Sequence, residues 1–127
     1  MAPLSFEARN SLGNAWMKAG NWAEASTCFE AALGLKPDEP YVLNNLGNAL
    51  LQMRRVSEAI MPFEAAARAK PRFGAPRFNL ANTLARAGRP AEALTQYDAY
   101  PRIGPDDVEA RSNFAATLAQ AGKPAEV

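Results

Sequence analysis

The sequence contains no histidine and only one cysteine, Cys28, in its 127 residues. Without histidine, the chain lacks the side chain most often used as a general acid or base and as a metal ligand. A single cysteine can neither form an internal disulfide nor supply a cluster of thiolate ligands. The sequence also has no glycine-rich phosphate loop and no nucleophile placed beside a base. We therefore expect this chain to have no enzymatic activity, no cofactor and no metal site.

An excess of charge of one sign is also missing, since 14 Lys and Arg residues are balanced by 13 Asp and Glu residues. The basic residues are dispersed along the chain, which argues against a nucleic-acid partner. No stretch approaches the run of about 18 apolar residues that a membrane-spanning helix needs. The first six residues lack the basic start and the long apolar run of a secretory signal. We expect a cytoplasmic location and no membrane partner.

What the sequence does contain is a repeated motif. Four copies of a short segment, SLGN, NLGN, NLAN and NFAA, stand 34 positions apart and begin at residues 11, 45, 79 and 113. Each copy has a polar residue, a large apolar residue and a small residue in the same order. A fixed period of this length is the signature of a stacked array of helical units.

Each repeat has the pattern of two helices joined by a short turn. Apolar residues recur at spacings of three and four, the period of an amphipathic helix. Gly20 and Gly88 separate two such segments, and Pro37 and Pro71 follow the second segments, as expected for helix ends. Stacked hairpins bury apolar stripes that one hairpin leaves open. The sequence predicts one all-α domain over 1–127, with repeats at about 6–39, 40–73 and 74–107 and a partial one at 108–127.

Two positions depart from this pattern. Arg54 stands where the other two full repeats have a turn glycine, and a left-handed conformation there would be strained for a residue with a side chain. In the third repeat, Tyr100 stands where the earlier repeats carry a small residue. We expect the second helix of this repeat to end near Ala99 or Tyr100.

The repeats resemble the tetratricopeptide repeat family, whose 34-residue hairpins carry a Trp, Leu-Gly, aromatic, Ala, Phe, Ala, Pro pattern. The early tryptophan is absent here. The residues that carry the resemblance are, by repeat, Leu12, Gly13, Trp16, Gly20, Ala25, Phe29, Ala32 and Pro37; Leu46, Gly47, Leu50, Ala59, Phe63, Ala66 and Pro71; and Leu80, Ala81, Leu84, Gly88, Ala93, Tyr97 and Pro105. We expect the leucine and small residue of each motif to be packing residues. The resemblance implies a right-handed superhelical solenoid of antiparallel helix pairs, whose concave face is lined by the first helix of each pair.

Six asparagines would lie on this concave face. They form two series with the 34-residue spacing, Asn14, Asn48 and Asn82, and Asn45, Asn79 and Asn113. A carboxamide both donates and accepts hydrogen bonds, so such a row can hold the backbone of an extended peptide whatever its side chains are. The repeat region of O-GlcNAc transferases has a similar asparagine-lined groove that holds the substrate polypeptide. Pockets on the same face would be supplied by Tyr41, Phe78, Met17 and Leu51.

The asparagines also have a simpler interpretation, as solvated polar residues on the first helices. A different binding mode, in which chaperone-binding members of the family hold a C-terminal carboxylate, is not expected. That mode requires two lysines and an arginine, and this chain has Asn10, Ala75 and Asn79 at those places.

The sequence therefore predicts a protein–protein interaction module that binds an extended peptide or protein segment in its groove through asparagine side chains. Two alternatives stay open. One is a structural scaffold that self-assembles end to end through Phe114 and Leu118 of the fourth repeat, which lacks its second helix. The other is the substrate-docking arm of a larger enzyme such as a glycosyltransferase.

Overall fold

The computed structural model describes residues 4–99 and 108–122, and within these ranges the chain forms seven α-helices and no β-strand. The helices are α1 (Phe6–Ala19), α2 (Trp22–Leu35), α3 (Pro40–Gln52), α4 (Val56–Ala69), α5 (Gly74–Arg86), α6 (Pro90–Ala99) and α7 (Val108–Gln120). Tyr100 and Pro105 lie outside the described residues. None of the described helices is both long and apolar enough to cross a bilayer.

The helices pack as successive hairpins. Helices α1 and α2, α3 and α4, and α5 and α6 form pairs, and each second helix also packs on the first helix of the next repeat. The first helices lie next to one another as well, since α3 contacts α5 and α5 contacts α7. This arrangement confirms the predicted all-α solenoid, and it places α1, α3, α5 and α7 side by side on one face.

Local sequence signals account for several helix ends. The Oγ of Ser5 accepts a hydrogen bond from the backbone N–H of Ala8 at 3.1 Å and so caps α1. Pro40 and Pro90 begin α3 and α6, where the missing N–H of proline would have had no partner within the helix.

The turns inside the hairpins share one backbone conformation. Gly20 and Gly88 have φ angles of 79° and 78°, in the left-handed region. Arg54 adopts the same conformation with φ 62°, and its N–H donates to the carbonyl of Leu51 at 2.9 Å as Gly20 donates to that of Met17. The left-handed conformation costs a residue with a Cβ about 1–2 kcal/mol. The predicted strain at Arg54 is therefore present in the fold.

Each hairpin closes on a contact between an aromatic ring and a small residue. The side chains of Phe29 and Phe63 are fully buried, and they lie against Gly13 and Gly47. A Cβ added to either glycine would stand 2.5 Å from Cε1 of the ring. The absence of a side chain at these two positions is what allows the ring to sit against the backbone of the first helix.

In the third repeat the small residue is Ala81, 34 positions after Gly47, and the aromatic residue is Tyr97, 34 positions after Phe63. Because Ala81 has a Cβ, the ring of Tyr97 cannot approach it as the ring of Phe63 approaches Gly47, where an added Cβ would stand 2.5 Å away. It packs edge-on against Phe78, with ring centroids 6.4 Å apart, and against Phe114, at 5.8 Å. Tyr97 is nevertheless only 1% exposed.

The expectation that all motif leucines pack in the core is wrong for the first repeat. Leu46 and Leu80 are 8% and 2% exposed, whereas Leu12 is 41% exposed. Leu46 and Leu80 lie on first helices that receive the second helix of the preceding repeat. In the described part of the chain no such helix precedes α1, and Leu12 faces solvent.

The ring contact can be tested by adding one methyl group to the second repeat. We expect Gly47→Ala to lower the free energy of unfolding by about 1–3 kcal/mol, because the ring of Phe63 must shift inside a packed core. The control is Gly34→Ala on α2, where an added Cβ meets no atom within 4 Å. That change should raise stability by about 0.5–1 kcal/mol through helix propensity. Urea unfolding followed by circular dichroism measures both, and a Gly47→Ala variant as stable as the parent would show that the contact is not tight.

Candidate functional site

Six asparagines from four first helices form hydrogen-bonded pairs along one face of the stack. The distances from the donating Nδ2 to the accepting Oδ1 are, by pair, Asn45 to Asn14 at 3.2 Å, Asn79 to Asn48 at 3.4 Å and Asn113 to Asn82 at 3.2 Å. The partners in every pair are 31 positions apart and belong to consecutive repeats. We call these three pairs the amide ladder.

The ladder follows from the spacing of the asparagines within each helix. Asn45 and Asn48 are three residues apart, so they share one face of α3. Asn45 then donates back to Asn14 of the first repeat, and Asn48 accepts from Asn79 of the third. Because α5 repeats this arrangement, the ladder runs from α1 to α7 without a gap between repeats. The structure thus brings together all six asparagines predicted from the sequence.

Each pair leaves part of its hydrogen-bonding capacity unused. The pairing consumes the Oδ1 of the earlier residue and one Nδ2 hydrogen of the later residue. Within the described residues, the Nδ2 of Asn14 and of Asn48 and the Oδ1 of Asn45 have no hydrogen-bond partner. Asn14 is exposed and the other five asparagines are half-buried. The face therefore presents a row of free amide donors and acceptors, and its asparagines are neither purely solvated nor fully satisfied.

Sequence reasoning missed Asn44 as part of this network. Asn44 is only 8% exposed, and its Oδ1 accepts a second hydrogen bond from Asn79 at 3.1 Å. At the corresponding place in the first repeat, the Oδ1 of Asn10 is buried with no hydrogen-bond partner in the described part of the chain. Asn44 precedes Asn48 by four residues, about one helical turn, so the sequence already indicated that both lie on the same face of α3.

The four residues predicted to form pockets beside the asparagines differ in their exposure to solvent. Tyr41 is 49% exposed; its ring lies 4.7 Å from that of Phe73, and its hydroxyl accepts a hydrogen bond from Lys70. Phe78, Met17 and Leu51 are half-buried and pack against the core. Of this group, only Tyr41 offers a largely open aromatic surface.

A cavity of about 350 Å³ opens at the last pair of the ladder, between the third and fourth repeats. Its lining residues are Asn82, Arg86, Tyr97, Asn113, Ala116 and Thr117. Sequence reasoning did not identify this cavity. One of its lining residues, Ala116, stands 34 positions after Asn82 and interrupts the asparagine series.

Tyr97 connects this cavity to the core. Its hydroxyl donates a hydrogen bond to the Oδ1 of Asn82, the atom that also accepts from Asn113. Burial raises the pKa of the Tyr97 hydroxyl, and a hydrogen bond with Thr117 opposes this shift. The hydroxyl therefore stays protonated, and able to donate, at neutral pH.

The two residues predicted for an end-to-end interface are both half-buried on α7. Phe114 packs against the core through its contact with Tyr97. Val108, at the start of the same helix, is 69% exposed. Within the described ranges, no three His, Cys, Asp or Glu side chains group closely enough to hold a metal ion.

These features define a helical repeat protein whose stacked first helices present a polar face. The family model described as "Tetratricopeptide repeat" matches residues 1–40, 10–72 and 44–108. The chain therefore belongs to the tetratricopeptide repeat family. Among curated proteins, no sequence matches this chain.

Solved structures of this family have the same fold. A MamA structure, "MamA MSR-1 C2", is 24% identical, with a TM-score of 0.83 over 94% of this chain and 68% of its own. YrrB, described as a TPR protein with an unusual peptide-binding site, is 25% identical, with a TM-score of 0.85 over 92% of this chain and 60% of its own. The first TPR of Spaghetti (RPAP3), bound to the HSP90 peptide SRMEEVD, is 16% identical, with a TM-score of 0.86 over 94% of both chains.

The network at Asn79 should contribute more to stability than the pair at the first repeat. Asn79→Ala leaves the Oδ1 of the buried Asn44 without a donor, and we expect a loss of about 1–3 kcal/mol in unfolding free energy. Asn45→Ala removes a partner only from the exposed Asn14, so the loss should stay within about 0.5 kcal/mol. Urea unfolding of the two variants side by side gives the comparison. Equal losses would contradict the role assigned to Asn44.

Proposed function

We propose that this chain is a protein-interaction module that binds an extended peptide or protein segment on the face of the amide ladder. The observation that carries the proposal is the row of unused carboxamide donors and acceptors that crosses four consecutive first helices. Two structural neighbours give further support, since YrrB is described by its peptide-binding site and the RPAP3 repeat was solved with a bound peptide.

The spacing of the ladder suits an extended chain. Packed helices lie about 8–10 Å apart, and an extended peptide advances about 3.3 Å per residue. One ladder pair therefore corresponds to about three peptide residues. Each pair would contact a backbone amide or carbonyl of the peptide, whatever the side chain at that position.

The strength of such binding is limited. A neutral hydrogen bond contributes about 0.5–1.5 kcal/mol net, so three pairs together supply about 1.5–4.5 kcal/mol. A dissociation constant of about 1 mM already corresponds to 4.1 kcal/mol. Backbone recognition alone would thus give only weak binding. A physiological partner must add side-chain contacts, for which Tyr41 and the cavity at Asn82 are the available places.

The partner proposed here differs from the chaperone tail of the RPAP3 complex. Asn10, Ala75 and Asn79 occupy the places where the resemblance requires basic residues for that binding mode. The asparagine-lined groove of O-GlcNAc transferases is the nearer comparison. The same comparison is compatible with the alternative that this array is the substrate-docking arm of a larger enzyme.

The test uses Asn48→Asp, which keeps an oxygen to accept from Asn79 but replaces the free Nδ2 donor with a charged oxygen. The probe is a capped, uncharged eight-residue peptide of alternating Ser and Ala, titrated while the side-chain amide signals of the protein are followed by NMR. We expect parent dissociation constants near the millimolar range and at least fivefold weaker binding by the variant, about 1 kcal/mol.

The matched control is Asn21→Asp. Asn21 is exposed between α1 and α2, makes no side-chain capping bond and lies off the ladder. Its variant adds the same charge and should bind like the parent. The proposal fails if the peptide shifts none of the ladder amides, or if both variants weaken binding equally.

We also propose, as a second candidate function, self-assembly through α7. The observation that favours it is the exposure of Val108 together with the half-buried Phe114 and Leu118 on one helix. If α7 docks on another copy, sedimentation velocity should show concentration-dependent association that Val108→Lys with Leu118→Lys abolishes. Phe114 is left unchanged because its contact with Tyr97 belongs to the fold. A monomer at all concentrations would eliminate this candidate.

A further inference from the structure

We propose that the amide ladder selects peptides in the polyproline II conformation, in which two of every three residues can be proline. The inference rests on the peptide-binding function proposed above and names the backbone conformation and the residue class of the bound segment. It follows from the distance between successive ladder pairs, from the groups that each pair leaves unused and from the position of Tyr41.

The ladder repeats once per hairpin, with one pair between each two neighbouring first helices. Neighbouring packed helices lie about 8–10 Å apart. A polyproline II helix has three residues per turn and advances about 3.1 Å per residue, so the same side of its backbone returns about every 9.3 Å. A β-strand presents the same side at every second residue, about every 6.6 Å. Of these two conformations, the polyproline II helix has the period of the ladder.

The unused groups of the ladder suit a backbone without internal hydrogen bonds. In each pair, the Nδ2 of the earlier asparagine and the Oδ1 of the later one bind no other group within the described residues. A polyproline II segment makes no hydrogen bonds within itself, so its carbonyls and N–H groups are free to pair with these amides. Proline supplies a carbonyl but no N–H. The ladder therefore requires a residue other than proline only at every third position, where an N–H meets the Oδ1 of the later asparagine.

Tyr41 adds a place for proline beside the ladder. It precedes Asn45 by four residues and Asn48 by seven, so the three side chains lie on one face of α3. The ring of Tyr41 lies 4.7 Å from that of Phe73, and Lys70 donates to its hydroxyl. These contacts hold the ring in place, and the residue is still 49% exposed. A peptide bonded to Asn45 thus passes within about one helical turn, roughly 5.4 Å, of an open aromatic ring, the kind of surface on which proline-rich segments dock.

Only the second repeat has an aromatic residue at this place. The residues at the corresponding positions of the other repeats are Glu7, Ala75 and Glu109. The ladder therefore has one proline subsite of this kind, and a single substitution at Tyr41 removes it.

The experiment compares three capped, uncharged nine-residue peptides, titrated while the side-chain amide signals of the ladder are followed by NMR. The periodic peptide repeats Pro-Pro-Ser three times. The blocked peptide has the same composition with its three serines together at the centre. The flexible peptide is the periodic one with every proline replaced by alanine.

We expect the periodic peptide to bind at least fivefold more tightly than the blocked peptide. In the periodic peptide all three serine N–H groups lie on one side of the helix, whereas in the blocked peptide they point to three different sides. The blocked peptide thus loses two neutral hydrogen bonds to the ladder. The periodic peptide should also bind at least threefold more tightly than the flexible one, because its conformation is formed before binding.

The variants Tyr41→Ala and Tyr41→Phe test the proline subsite. Tyr41→Ala should weaken binding of the periodic peptide at least threefold and change that of the flexible peptide less than twofold. Tyr41→Phe keeps the ring and should bind both peptides like the parent. Equal weakening of the two peptides by Tyr41→Ala would show that this ring is not a proline subsite.

The outcomes separate this inference from the proposed function. If none of the three peptides shifts the ladder amides, the peptide-binding function itself is wrong. If the flexible peptide shifts them and the periodic peptide binds no more tightly than the blocked or the flexible one, the face binds peptides but does not select the polyproline II conformation.

Discussion

The contact between one aromatic ring and one glycine in each of the first two hairpins sets the geometry on which the neighbouring helices depend. Phe29 on Gly13 and Phe63 on Gly47 bring the second helix directly onto the backbone of the first. When the two helices of successive hairpins lie equally close, the hairpins stack in the same way. Asparagines 31 positions apart on neighbouring first helices then come within hydrogen-bond distance of each other. The amide ladder is therefore a consequence of core packing as much as of the asparagines themselves.

In the third repeat, a different contact between the two helices of the hairpin affects the amide ladder. Ala81 carries the Cβ that Gly13 and Gly47 lack, and the ring of Tyr97 packs against Phe78 and Phe114. Its hydroxyl then engages Asn82, which belongs to the ladder. The presence of Tyr97 in the core thus adds a hydrogen bond to one ladder pair.

The sequence predicted the fold well because period, helix pattern and turn residues agreed with one another. It identified Arg54 as strained and placed all six ladder asparagines on one face. It could not show that these amides bond to each other, since that depends on the distance between helices. It also missed the cavity beside Arg86, and it misassigned Leu12. Leu12 is exposed because no described helix packs on α1 as α2 packs on α3, and the cavity depends on how α5 and α7 pack, which residue spacing does not give.

We propose that the ladder face is the surface that contacts a peptide, and a crystal structure with the capped Ser–Ala peptide bound tests this most directly. We expect an extended peptide across α1, α3, α5 and α7, with its backbone hydrogen-bonded to the amides of Asn48 and Asn82. A peptide bound on the outer helices α2, α4 and α6, or against the open side of α7, would contradict it.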